Sequence, residues 1–355
     1  MINHKPLTGI FLGSGASAAL AEISTEDKFI NKLFDEGRDG WINRGSLKIG
    51  GYQLADWIRH VGDIELCMSH LHNLASIHRE SGAIVAIINL RAAIAEYLKR
   101  LPICPGEIVV SSEKKTQDLF ERFLQENMRR SSVVFPTTNY DLVIEQLLKK
   151  MGFPSYYPEI PGQVAGNHTE GIPIYKLHGS INWLEKRWVQ NGQLMSTDPP
   201  TLIVDDPGVL INDSDVYLYS VREQDGTGRK KYSPVLIPFF YQKEVWLESR
   251  WRPIFDPHWR SATDLLSKDV AMLNIYSIGY RLPPADHYML TWLLEILNKA
   301  KLREILREVV VVCKLNFQNS SDKELQKALY PFFEDKNVHR DGLAMFLKKY
   351  FGEAI

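Results

Sequence analysis

Apolar and polar positions along the chain alternate between two periods. Thr8 to Leu12 is a short continuous apolar run ended by Gly13-Ser14-Gly15, and the small helix-forming residues Ala16 to Glu22 follow. A buried strand, a tight glycine turn and a helix, the opening of a βα unit, are the expected result. Ser24-Thr25-Glu26-Asp27 then has the residue types of a helix start, with Phe29, Ile30, Leu33 and Phe34 on one face and Gly37 as its stop. From about Gly51 to Arg130 the strand period disappears. Leu71, Leu74 and Ile77, then Ile84, Ile87, Ile88, Ile94, Tyr97 and Leu98, then Leu119, Phe120, Phe123 and Leu124 recur at helical spacing. A helical insertion or subdomain over about residues 40–130 is expected.

Strands return at Ser132 to Phe135, followed by Thr137-Thr138-Asn139-Tyr140-Asp141 and a helix from about Leu142 to Met151. Ile172 to Leu177 predicts another strand, ended by His178-Gly179-Ser180. Asp225-Gly226, between Val216 to Val221 and Tyr232 to Ile237, predicts a hairpin with a longer loop. Val270 to Ile278 predicts a strand, Asp286 to Lys299 a helix, and Val309 to Cys313 a strand covered on both faces. Two helices, about Asp322 to Phe333 and Arg340 to Phe351, follow. This order implies an α/β fold, a Rossmann-like open parallel sheet with a helical insertion, in which residues 1–320 form one domain and 321–355 a C-terminal helical extension. The 355 residues allow it, since about 150 per domain gives two modest domains or one large one with an insertion.

Composition narrows the class without naming an activity. Hydrophobic residues make up 45% and charged ones 24%, enough for a substantial core and unlike a mostly disordered chain. Lys plus Arg is 42 against 43 for Asp plus Glu, so no basic surplus points to direct nucleic-acid binding. The cysteines Cys67, Cys104 and Cys313 form neither a disulfide framework nor a CxxC pair, which suits a reducing cytoplasm. Met1 to Pro6 lacks the layout of a signal peptide, and no apolar run approaches the ~20 residues of a membrane helix. A soluble, cytoplasmic protein without membrane contact is expected.

The polar motifs all follow strand candidates, where ligands bind in open α/β sheets. In Gly13-Ser14-Gly15-Ala16-Ser17 the glycines permit close backbone approach to a pyrophosphate at a helix N-terminus. Ala18 stands where a GxGxxG motif has its third glycine, and a plain tight turn accounts for the segment equally well. In the 137–141 segment Asn139 offers donors and an acceptor and Asp141 an acceptor, but the same residue types cap helices, and a helix follows. His178, at a strand end, suits a general base near neutral pH or a structural histidine. His60, His70, His72 and His78 lie on predicted helix; positions 70 and 72 do not share a face, so no metal site is expected.

Taken in order, the GSGAS turn, TTNYD after a mid-chain strand and LHGS after the next resemble the sirtuin (silent information regulator) superfamily. Ile278-Gly279-Tyr280-Arg281-Leu282-Pro283-Pro284-Ala285-Asp286 resembles the IGYSLPPxD stretch of prokaryotic sirtuin-like proteins, with Arg281 where serine is usual. Pro238 and Lys243 ahead of Trp259 are similar to a Pro…Lys…Trp pattern of that subgroup. The resemblance spans about Phe11 to Val312. The chain departs from protein deacylases: only Cys313 lies beyond Leu177, so their zinc-binding CxxC pairs are missing, and Ser24 to Lys28 stands in place of their Pro-Asp-Phe-Arg element. The closer likeness is to antiviral defence effectors that bind NAD+ and hydrolyse it.

That resemblance implies NAD+ as substrate, with Gly13, Ser14, Gly15, Ala16, Ser17 and Thr138 around the pyrophosphate and adjoining ribose. It implies Asp141 on the nicotinamide carboxamide, Asn139 on the attacking water or a ribose hydroxyl, and His178 as general base. Gly279, Tyr280 and Asn316 are implied contacts toward the adenosine end. It also implies a homo-oligomer, a HerA-type hexameric ATPase or a short Argonaute as partner, and no zinc. The alternatives are a deacylase or ADP-ribosyltransferase, and a non-catalytic sensor subunit that binds NAD+ or ADP-ribose.

Overall fold

The computed structural model describes residues 6–21, 33, 47–62, 64–78, 80–99, 111–161, 171–190, 193–206, 208–213, 215–222, 228–236, 251–267, 270–280, 287–313, 332 and 337–353. The chain opens with β1 (Leu7–Leu12), α1 (Ser14–Ala21), the short β2 (Lys48–Ile49) and β3 (Tyr52–Gln53), α2 (Leu54–Val61), α3 (Ile64–Ser76), α4 (Ser81–Lys99) and α5 (Ser111–Arg130). Next come β4 (Ser132–Thr137), α6 (Val143–Lys150), β5 (Ser155–Tyr156), β6 (Ile172–Lys176), β7 (Gly179–Gln190), β8 (Gln193–Met195), β9 (Leu202–Val204), β10 (Val209–Asp213), β11 (Val216–Arg222) and β12 (Arg229–Leu236). The remaining elements are α7 (Arg252–Ser267), β13 (Leu273–Ile278), α8 (His287–Leu302), β14 (Leu306–Val312), β15 (Val338–His339) and α9 (Leu343–Phe351). The predicted helix from Ser24 to Gly37 (except Leu33), the predicted helix over 322–333 (except Phe332), Pro238, Lys243, the stretch Arg281 to Asp286 and Asn316 lie outside the described residues.

Seven strands form one parallel sheet in the order β15-β14-β13-β1-β4-β6-β5. Counting β1, β4, β6, β13, β14 and β15 as strands one to six gives 3-2-1-4-5-6, the doubly wound dinucleotide-binding order, with β5 added at an edge. All six residues of β1 are buried, because helices cover both faces. On one face α5 packs against α1, α9 and β4, and Phe123 meets Tyr276 and Phe346 edge-on at 5.2 and 5.7 Å. On the other face α7 and α8 pack together, with Trp292 5.7 Å from Phe11 and 5.4 Å from Trp259. Each such buried aromatic contributes roughly 1.5–3 kcal/mol of transfer free energy.

A second, antiparallel sheet runs β10-β11-β12-β7-β8, with β9 also on β7. The predicted hairpin is its β11-β12 pair, but the sheet extends well beyond it. The stretch expected to be a helical insertion divides in its packing. Its last helix, α5, lies on the parallel sheet, whereas α4 packs on β11, β12 and β7. Asn89 on α4 fastens that contact: its Nδ2 donates to the carbonyl of Asp215 at 2.9 Å and its Oδ1 accepts from the amide of Tyr217 at 2.9 Å. Among the described residues no helix is long and apolar enough to cross a membrane.

Candidate functional site

β1 has β13 on one side and β4 on the other, so the chain reverses its direction of sheet growth there, and open α/β sheets bind ligands outside the strand ends at such a point. Four segments emerge at this edge: the glycine turn after β1, residues 138–141 after β4, Leu177-His178 after β6, and Gly279-Tyr280 after β13.

The glycine turn lies against the exit of β13. The amides of Gly13 and Gly15 donate to the carbonyls of Ile278 and Gly279, each at 2.9 Å, and that of Ala16 donates to Gly13 at 2.9 Å. Gly279 has φ +68° and a Cβ there would stand 2.0 Å from the Ala16 nitrogen, so no other residue fits the contact. The two glycine amides expected to face a pyrophosphate are thus engaged within the protein. Ser14, exposed at the start of α1, is the polar side chain the turn presents outward.

Residues 137–141 are bound to that turn and to β6. Thr137 Oγ1 donates to the carbonyl of Leu12 at 2.7 Å and accepts from the amide of Asn139 at 3.1 Å. Asn139 Nδ2 donates to the carbonyl of Gly13 at 3.0 Å and to Ser17 Oγ at 2.8 Å, which uses both amide hydrogens. Among the described residues nothing donates to its Oδ1. Asp141 Oδ1 accepts from the amide of Val143 at 3.0 Å, a local turn bond just ahead of α6, whose N-cap is Leu142, while the second oxygen has no donor among the described residues. The helix this turn starts, α6, buries Val143, Ile144, Leu147 and Leu148 in a stripe at helical spacing.

Lys176, the last residue of β6, is 0% exposed. Its Nζ donates to the carbonyls of Asn139, at 3.3 Å, and Asp141, and pairs with Glu145 Oε1 at 2.9 Å. Glu145 also accepts from the phenol of Tyr157 at 2.8 Å. Burial pushes the Tyr157 phenol well above its ordinary pKa, and the nearby Glu145 carboxylate adds to the shift, so the phenol stays a donor.

The cavity at this point is lined by Leu12, Ser17, Thr137, Asn139, Asp141 and Lys176, with Ala16, Leu20, Val143 and Ile144. Its volume is about 10 Å³, room for about one water. The structure therefore gathers Ala16, Ser17, Asn139 and Asp141 of the expected residues around one cavity, with Gly13 bound to Asn139 behind them. Thr138 is buried but Thr137 lines the cavity in its place. Tyr280 is buried at the β13 exit. His178, 1% exposed, does not line this cavity. Its backbone is nonetheless tied into the edge, since Leu177 donates to the carbonyl of Thr137 at 2.8 Å and Ile181 to that of Tyr140 at 3.0 Å. Gly179, φ +87°, follows immediately because a Cβ there would stand 2.2 Å from the Val235 carbonyl oxygen.

Thr137 and Lys176 were not among the residues expected from sequence. Lys176 carries a legible signal, a charge inside the apolar run Ile172 to Leu177, at a position where the strand requires burial. Among the described residues no group of three or more His, Cys, Asp and Glu side chains could hold a metal ion. No curated protein sequence matches the chain. Residues 132–198, which carry Asn139, Asp141, Lys176 and His178 but not the glycine turn, match the SIR2-like domain family, and this match supports kinship with the sirtuin-like superfamily and an NAD+-related function.

Proposed function

We propose that the protein is an NAD+ glycohydrolase that cleaves the bond between nicotinamide and ribose. The observation that carries this reading is the fixed carboxamide of Asn139, whose donors are consumed by Gly13 and Ser17 so that its oxygen is left as an acceptor beside Asp141 at the switch point of the sheet. Asn139 Oδ1 holds the attacking water or a ribose hydroxyl. The unshared oxygen of Asp141 accepts from the nicotinamide carboxamide. Ser14 meets the pyrophosphate, and Gly279 and Tyr280 lie toward the adenosine end, with Asn316 a further contact implied by the family resemblance. The glycosidic C–N bond breaks with its electron pair going to the ring nitrogen, and water adds to the ribose carbon. His178, which does not line the cavity, takes the proton that water loses once the site widens to bring it within reach. The products are neutral nicotinamide and ADP-ribose.

The cavity has room for about one water, so this reading includes a widening of the site as substrate binds. The reading suits a cytoplasmic effector of antiphage defence whose activity would exhaust the cell's NAD+ and abort infection. Self-assembly and docking to a HerA-type ATPase or short Argonaute belong to the same proposal. Nicotinamide release from NAD+ tests the activity, with Asn139→Ala and His178→Ala beside the parent. Both variants are expected to lose turnover; retention of parent activity by both would overturn the assigned roles.

A further inference from the structure

The loop that carries Asn139 and Asp141 is held from behind by its carbonyl groups. Thr137 accepts from the Leu177 amide, and Tyr140 from the Ile181 amide and from Ser180 Oγ at 3.3 Å. Two further carbonyls, those of Asn139 and Asp141, belong to residues that line the cavity, and both accept from the Lys176 ammonium. A fully buried lysine is costly, and a buried ion pair with Glu145 does not by itself repay that cost, since an apolar residue of similar volume does as well or better for stability. The ammonium supplies something a methionine there would not: one rigid, charged donor shared between two main-chain oxygens two residues apart.

We infer that Lys176 is a positioning residue of the candidate site, setting the backbone of Asn139 and Asp141 and through it the direction of the carboxamide and carboxylate. Glu145 holds the ammonium in place, and Tyr157 holds Glu145. Tyr157 also accepts from Asn182 Nδ2 at 3.2 Å, so the chain of contacts runs from the cavity to β7 of the antiparallel sheet. The catalytic consequence of this inference rests on the NAD+ reading; the positional one does not.

The test uses the full-length chain with Lys176→Met, Glu145→Gln and the double variant. Each single change strands one buried charge, so both are expected to lower the melting temperature, and the double variant to recover most of it. In the refolded-to-parent double variant, exchange at the Asn139 and Val143 amides is expected to be at least about tenfold faster than in the parent. With NAD+, kcat of the double variant is expected to fall about 100-fold with little change in KM, because a small misplacement of reacting groups has that cost. Parent-like amide exchange in a stable double variant would overturn the positioning role, as would parent-like kcat. Should the parent itself release no nicotinamide, the NAD+ reading fails while the exchange measurement still decides the role of Lys176.

Discussion

Two buried asparagines, one in each sheet region, show how a structural polar group differs from one prepared for a ligand. Asn89, on the helix that covers the antiparallel sheet, spends both ends of its amide on main-chain partners, Asp215 and Tyr217. Asn139, at the edge of the parallel sheet, spends its two donors on Gly13 and Ser17 and keeps an acceptor beside a cavity. The first is complete within the fold. The second is held in one orientation with half its capacity in reserve, which is what preorganised recognition of a water or hydroxyl requires.

The contrast can be broken most sharply by removing each amide in turn. Asn139→Ala is expected to lower nicotinamide release roughly 10²- to 10⁴-fold, while stability falls by only about 1–2 kcal/mol. Asn89→Ala is expected to do the reverse: the buried Tyr217 amide loses its acceptor, urea unfolding shows a loss of about 2–3 kcal/mol, and kcat is unchanged.

The histidines extend the comparison. His258 is fully buried, its Nδ1 2.5 Å from the Pro158 carbonyl and its ring 5.0 Å from Tyr175 and 5.4 Å from Trp183. Burial lowers its pKa from 6.5 to about 4, against a smaller opposing effect of the Pro158 bond. The unfolded chain therefore binds a proton that the folded one refuses. His258 stabilises the fold fully above pH 6.5, and that contribution is lost as the pH falls toward 4, by on the order of 3 kcal/mol. His258→Phe is expected to flatten this part of the stability–pH curve; an unchanged slope would show that another group carries it. The smallest effect is expected at the half-exposed end of α4, where Lys99 reaches the Gly208 carbonyl at 2.5 Å and Asp206 at 3.6 Å. Lys99→Ala should cost less than about 1 kcal/mol and leave turnover untouched.

The same division governs what could be read in the sequence. The parallel sheet was legible because its strands are short apolar runs bounded by glycine or polar turns, and β1, β4, β6, β13 and β14 fall where those runs lie. The antiparallel sheet was largely hidden. β7 mixes Asn182, Glu185, Lys186 and Arg187 with Trp183 and Leu184, and buries Glu185 with Arg187 2.5 Å away, so no period-2 signal survives. Pro257 inside α7 obscured that helix in the same way. At the site, the turn chemistry of the 137–141 segment was visible, including the local bond of Asp141 to the Val143 amide. Lys176 was not singled out, because its role depends on three partners, Asn139, Asp141 and Glu145, that only the folded chain brings to its ammonium.

Nicotinamide release from NAD+, followed chromatographically for the parent and for Asn139→Ala at equal folded concentration, tests the central claim most directly. The parent is expected to yield nicotinamide and ADP-ribose in equal amounts, and the variant to leave NAD+ intact over the same interval. Intact NAD+ with the parent, or equal release by the variant, would contradict the account.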